Sequence, residues 1–398
     1  MTSGTTAQNK NVFNYLSQVY WPTSVTVGKN AEENLLNYGG LEPFPSKIAK
    51  SYKVLLSKEI HIHTLSVDHA NGVGDIILDD ASTFVDMKSN NDDIIVLCHG
   101  YATGLGYYYK NFKSISEKTG RRVLAFDWLG MGRSSRPKFP FNKFKTIQDT
   151  EKTIDYFIES LEEWRKCHRL RNKMILIGHS MGGYLSAWYA LKYPENVKKL
   201  ILVSPVGLPD RPDDVKKTQL SEADVSNLKE FDRPKPPSYM RRFFYYLWDQ
   251  NYTPQWLVRT TGPLGRRLVK LYTTRRFSLD PDEAKNIDEY FYHLCASKGS
   301  GEYALGLLLA PGAYARKPLL HHLKDIQVPI HFMCNIFTAM MLDGEEDWMD
   351  SSHAAEAQKT LKYKSQLIHI SDAGHHLYLD NAEEFNDKLV QLIQRIDE

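Results

Sequence analysis

Met174-Ile175-Leu176-Ile177-Gly178-His179-Ser180-Met181-Gly182-Gly183 decides the fold. Four consecutive apolar residues stop at a glycine, and a serine stands at the centre of a G-x-S-x-G pentapeptide. An apolar run with no polar face predicts a strand buried on both sides in a parallel sheet. The following segment, 183–192, reads as a helix. A nucleophilic serine needs that setting. It sits on a strained strand-to-helix turn, and small flanking residues let the backbone make the turn. Without the flanking strand and helix the pentapeptide would be a weak signal.

Runs of the same kind recur on either side. Ile94-Ile95-Val96-Leu97 ends at His99-Gly100, Val123-Leu124-Ala125-Phe126 at Asp127, and Leu200-Ile201-Leu202-Val203 at Ser204-Pro205. Val328–Met333 and Gln366–Ile370 follow. Helical segments separate most of them, among them 147–165. Strand and helix in alternation predict an α/β fold with a mostly parallel sheet, whose functional groups collect at the carboxyl ends of the strands. One stretch, 208–317, has no buried-type strand. It opens with a proline-rich, charged linker and continues as helical, aromatic-rich sequence, and so reads as a helical cap inserted into the sheet domain. The expected organisation is an N-terminal helical arm (1–50), a first core part (51–207), the cap (208–317) and a second core part (318–398). Val12, Phe13, Leu16, Val19 and Tyr20 give the arm its helical spacing. In the strands expected over 51–67, His61 and His63 share one side, and the reading taken is a solvated face rather than a metal pair.

A serine nucleophile needs a base and a group to orient the base. After Ser180, the fifth strand leads to Gly344-Glu345-Glu346-Asp347-Trp348-Met349-Asp350 and the sixth to Asp372-Ala373-Gly374-His375-His376. His375 is the expected base. Asp347, at the end of a G-x-x-D turn, is the expected acid, with Asp350 the alternative. His376 reads as a packing residue. The oxyanion should meet the backbone N–H groups of Met181 and of Tyr101, in the turn after the first buried strand. His99 should hold that turn.

These motifs, with Asp127–Ser135, Gly301-Glu302-Tyr303-Ala304-Leu305 and Ala310-Pro311-Gly312-Ala313, resemble the lipid-acting α/β-hydrolases. The likeness is to the fungal branch of cardiolipin-specific deacylases and lysophosphatidic acid acyltransferases, relatives of the animal lipid-droplet lipase coactivator. It covers roughly residues 90–395. It implies the α/β-hydrolase fold, the triad above, and phospholipid or lysophospholipid substrates. The family's H-x-x-x-x-D acyltransferase signature falls on His375 and Asp380. Coactivator members have lost the nucleophilic serine, which is present here. The chain also carries extra, mostly apolar sequence at 335–343, where relatives run almost directly into the Gly-x-x-Asp turn.

Composition bounds the rest. Fifty basic and 48 acidic residues leave a net charge of +2, so the chain as a whole does not read as a nucleic-acid binder. The longest near-apolar stretch, Ala304 to Ala315, is broken by Gly306, Pro311 and Gly312, so no membrane-spanning helix is expected. Cys98, Cys167, Cys295 and Cys334 lie far apart, with no thiolate zinc spacing. No metal and no cofactor are expected, beyond acyl-CoA as co-substrate of an acyltransferase. Residues 239–276 hold eight Arg or Lys, one acid and nine aromatics. That mixture suits an anionic membrane surface, and equally a cap whose aromatics line an apolar pocket. No acid precedes Glu32, and Lys10 and Lys29 are the basic residues before it, a partial likeness to a mitochondrial presequence. The expectation is an intracellular phospholipid deacylase, cytoplasmic or mitochondrial and peripheral to a membrane. A lysophospholipid acyltransferase using the same triad is the alternative, and a non-catalytic coactivator or lipid-binding scaffold the second. Enzymes of this fold with an aspartate nucleophile are disfavoured by the serine.

Overall fold

The computed structural model describes residues 23–69, 76–77, 86–87, 93–141, 143–209, 239, 246–248, 250–311, 313–335 and 351–395. Helix α1 (Val25–Leu36) starts at Ser24, whose hydroxyl caps it by accepting from the Val27 N–H. It leads to strands β1 (Ala49–Leu55) and β2 (His61–Val67), and a two-rung ladder joins β3 (Ile76–Ile77) to β4 (Asp86–Met87). Next come β5 (Ile94–Cys98), α2 (Phe112–Thr119), β6 (Val123–Phe126), α3 (Ile147–Cys167), β7 (Met174–His179), α4 (Met181–Lys192) and β8 (Val197–Val203). The stretch read as a cap holds α5 (Pro254–Thr260), α6 (Pro263–Arg276) and α7 (Pro281–Ala296). The chain closes with β9 (Ile330–Asn335), α8 (Ser351–Gln358), β10 (Leu367–Ile370) and α9 (Ala382–Gln394).

Eight strands form one sheet in the order β1-β2-β6-β5-β7-β8-β9-β10. Of these, β2 alone runs against the others. The apolar runs are continuous because alternate residues enter different cores. In β7, Met174 and Leu176 join the core under α3 and α4, while Ile175 and Ile177 join the core under α2 and α9. Strands β5 and β8 divide the same way, Val96 and Leu200 to one side, Ile95 and Ile201 to the other. Helix α3 begins with Asp149 accepting from the Thr146 N–H at 2.9 Å, and ends with Arg165 and Lys166 in its last turn. Both placements suit the helix dipole.

Helices α5, α6 and α7 each open on a proline at the first position. Its ring fixes a helical φ, and its missing N–H would have had no intrahelical partner. Among the described residues no helix is long and apolar enough to cross a membrane. The arm helix expected over 12–20 lies outside the described residues.

The solvated face expected for His61 and His63 is corrected. His63 is 2% exposed, and His61 is half-buried, bonding Ser135 Oγ at 2.8 Å. Helix α1 and the 127–136 loop cover that face, and both come from elsewhere in the chain.

Candidate active site

Ser180 joins β7 to α4 with φ 54° and ψ −119°, a left-handed conformation that costs a non-glycine residue about 1–3 kcal/mol. Its surroundings hold it there. The Ser180 N–H donates to Val203 O at 3.0 Å, and the Ser180 carbonyl accepts from Val206 N at 3.2 Å. The flanking glycines are required by space. A Cβ on Gly178 would lie 2.6 Å from Gly182 O, and one on Gly182 would lie 2.4 Å from His99 O. The G-x-S-x-G pattern is therefore the sterics of a strand end, a helix start and the β5 turn meeting at one point.

His375, in the turn after β10, places Nε2 3.0 Å from Ser180 Oγ. A second imidazole, which sequence reasoning missed, fixes that turn. His179 Nε2 donates to the His375 carbonyl at 2.9 Å. Burial, then the neighbouring His375, holds His179 well below its ordinary pKa, so it is neutral. Its Nδ1 is buried without a partner among the described residues. The signal was present, since His179 is the first variable position of the pentapeptide, but only the fold brings it to His375. His376 is buried too, and burial, followed by the effects of His179 and Arg276, depresses its pKa. Its Nδ1 accepts from Arg276 Nη2 at 3.1 Å, and its ring packs on Tyr107 and Phe277. The structure thus gives His376 a packing position.

The turn after β5 abuts the serine: a Cβ on Gly100 would lie 3.1 Å from Ser180 Cβ. His99 ties it down. Its Nδ1 donates to Gly100 O at 2.7 Å, and its Nε2 accepts from the Trp128 N–H at 3.1 Å. Burial holds its pKa below the ordinary value. Tyr101 follows, its hydroxyl donating to Gln255 of α5 at 2.9 Å. Met181 is the first residue of α4, where backbone N–H groups lack intrahelical acceptors and the dipole favours an anion. Met181 thus follows the serine at the helix start, and the turn that carries Tyr101 abuts the serine from the other strand.

Asp380 takes a position that the H-x-x-x-x-D spacing alone does not define. Its Oδ2 accepts from the Gly374 N–H at 2.9 Å and lies 3.4 Å from Arg276 Nη2 of α6. Burial raises its pKa, against the pull of Arg276. It clamps the turn that carries His375 to the last turn of α6. Asp347 and Asp350 lie outside the described residues, as do 336–343 of the extra sequence, between the end of β9 and the start of α8.

Among the described residues one group of possible metal ligands comes together, Glu32, His63 and Asp127. Arg133 Nη1 is 2.5 Å from Glu32 Oε1 and 3.1 Å from His63 Nε2, so a guanidinium already supplies the positive charge there. Asp127 accepts from the N–H groups of Leu105 and Arg133, which shapes the loop.

The alpha/beta hydrolase fold model matches residues 93–382. A 1-acylglycerol-3-phosphate O-acyltransferase of Arabidopsis thaliana is 38% identical over 303 residues, 74% of this chain. The matched stretch spans 65% of that plant protein, just under two thirds of its length. The 1-acylglycerol-3-phosphate O-acyltransferase ABHD5 of Rattus norvegicus is 36% identical over 76% of this chain and 78% of its own. A (lyso)-N-acylphosphatidylethanolamine lipase of Bos taurus is 34% identical over 76% of this chain and 80% of its own.

Proposed function

The chain belongs to the alpha/beta hydrolase fold family, and on that premise we propose that it is a serine-dependent lipid acyl hydrolase, a phospholipid deacylase working through an acyl-enzyme. The observation that carries the reading is Ser180 Oγ at 3.0 Å from His375 Nε2 on a strained turn. As Oγ attacks the ester carbonyl carbon, His375 Nε2 takes its proton. The carbonyl oxygen becomes an oxyanion beside the Met181 and Tyr101 N–H groups. When the intermediate collapses, the C–O bond to the lysolipid breaks and His375 returns the proton to the leaving alcohol. Water then repeats the sequence on the acyl-enzyme and frees the fatty acid. Neutral His179 holds the backbone of His375, leaving the ring of His375 to carry the proton. Asp347, or else Asp350, is assigned the orienting acid.

The second reading is an acyltransferase, favoured by the printed names of the plant and rat relatives. A lysophospholipid hydroxyl would then replace water on the same acyl-enzyme, with acyl-CoA as donor. A non-catalytic coactivator is disfavoured by an intact Ser180–His375 pair. Contact with an anionic membrane surface is supported by α5 and α6, where Leu257, Leu264, Leu271 and Tyr272 are exposed beside Arg267 and Lys270. Tyr246, Tyr252 and Trp256 are exposed as well, which favours the surface reading of the aromatics over the pocket reading. Arg241 and Arg242 lie outside the described residues. We place the protein at the cytoplasmic or mitochondrial face of a membrane, testable by fractionation before and after a salt wash.

The deciding experiment incubates purified protein with a phospholipid panel that includes cardiolipin, with and without lysophosphatidic acid and acyl-CoA. Fatty-acid release without acceptor supports the deacylase. Acyl-CoA-dependent phosphatidic acid with no release supports the transferase. Neither product overturns both.

A further inference from the structure

Between α1, β2 and α7 lies a cavity of about 570 Å³, within the range of roughly 300–1,000 Å³ usual for small-ligand sites. Its wall is sorted by charge. Lys53, Arg133, Arg136, Lys298 and His61 line it, and among the described residues no carboxylate does. Arg133 is neutralised by Glu32. Among the described residues Lys53, Arg136 and Lys298 form no ion pair.

Arg136 is the informative one. Its side chain is half-buried, and its bonds go to the carbonyls of Gly132 at 2.9 Å and Lys298 at 2.8 Å. Carbonyls satisfy the donors but carry only partial charge. The nearby carboxylate, Glu302, is held by Arg259 through both oxygens. A half-buried cation whose donors meet only carbonyls gains a charge-assisted bond from an incoming anion. Val25, Tyr290, Leu294 and Ala296 give the wall an apolar part, beside the hydroxyls of Ser134, Ser135 and Ser297.

We propose that this cavity is an accessory binding site for a single-chain amphiphile with a phosphate head. Arg136, Lys53 and Lys298 hold the head, and the stem lies along Val25, Tyr290 and Leu294. A phosphomonoester offers up to two charges and three acceptor oxygens, which suits a wall carrying three cations better than a carboxylate does. Neither Ser180 nor His375 lines the cavity, so the site is separate from the acyl chemistry and stands whether or not the preceding reading holds. Gly132, Arg136 and Leu294 also line a small pocket beside Tyr101, so the head site borders the oxyanion turn.

Hexadecyl phosphate is the probe, because it has no ester bond for the serine to attack. Its binding to the full chain is measured by calorimetry below its micelle concentration, beside hexadecanol and inorganic phosphate. The expected result is one site per chain, with hexadecanol and inorganic phosphate each at least tenfold weaker. Arg136→Gln and Lys298→Gln should each weaken the probe about tenfold, the scale of one charge-assisted bond. The Lys298 side chain is exposed, so Lys298→Gln should keep the wild-type melting temperature and decide the matter if Arg136→Gln fails to fold. Ser180→Ala should bind the probe as the parent does. Equal binding of hexadecanol would overturn the anion site. Equal binding of inorganic phosphate would overturn the amphiphile. Unchanged affinity in the variants would overturn the location.

Discussion

His179 and His376, at the carboxyl edge of the sheet, are buried among rings and other imidazoles, whereas His63, beneath α1, is buried against Glu32 and Arg133. The two regions meet the cost of desolvation differently. At the catalytic edge the rings stay neutral, because burial and like charge both oppose protonation. There His179 and His376 serve as fixed hydrogen-bonding groups, and the ring of His375 is the one that meets Ser180. Beneath the arm helix the desolvated charges are retained and paired. Burial alone would raise the Glu32 pKa, but its contacts with His63 and Arg133 outweigh it and hold the carboxyl below its ordinary value. One region keeps its rings uncharged around Ser180, and the other pairs charges that hold two chain segments together.

The sharpest way to break that contrast is chemical. Ser180→Ala should lower ester hydrolysis and acyl transfer by about four to six orders of magnitude, and His375→Ala by as much, while both proteins melt normally. Turnover of a soluble short-chain ester near the wild-type rate in either variant would remove the serine mechanism.

Next is the arm. Glu32→Gln leaves Arg133 buried without its counter-charge and should cost about 3–5 kcal/mol in denaturant unfolding. An unchanged midpoint would mean the pair does not hold α1 to the loop.

Acid unfolding should separate the regions. His179 and His376 have folded pKa values depressed from 6.5. Their contribution is complete above the unfolded value and is lost as pH falls below about 6.5. Glu32 is also depressed, from 4.5, so its contribution persists to about pH 4.5 and is lost only below that. His376→Gln should flatten the upper part of the stability profile, and Glu32→Gln the lower. A single loss confined below pH 4.5 in the parent would contradict the neutral-imidazole account.

A smaller effect is expected from Asp380→Asn, which weakens the bonds to Gly374 and Arg276. A loss of about tenfold in kcat with little change in KM would fit a positioning residue. A double-mutant cycle with Arg276→Gln should show that the two changes are not additive. Full additivity would place them in separate roles. The smallest effect concerns the cap: Arg267→Glu and Lys270→Glu should each weaken binding to anionic vesicles about fivefold and spare the soluble ester. Unchanged vesicle binding would move the docking surface elsewhere.

Legibility followed the range of the interactions. The strands around Ser180 could be read because their burial is written in consecutive residues. Ser180 and His375 could be expected near one another because each lies in the turn that follows such a run. The neighbours that tune them could not. His179 acts on a residue 196 positions away. Asp380 reaches Gly374 locally, but its second partner, Arg276, comes from another helix. His61 and His63 were misread because the strand's own pattern does not reveal that α1 and the 127–136 loop cover it.

The sequence by itself determined the parallel α/β sheet, the strained serine turn and the histidine that serves it, because periodicity and glycine sterics are local properties of the chain. Only the tertiary structure decided which histidines are buried neutral, which lies against an ion pair, and that Arg136 lines a cavity whose described wall holds no carboxylate. Desolvation and Coulomb interaction depend on distances between segments that sequence order does not encode.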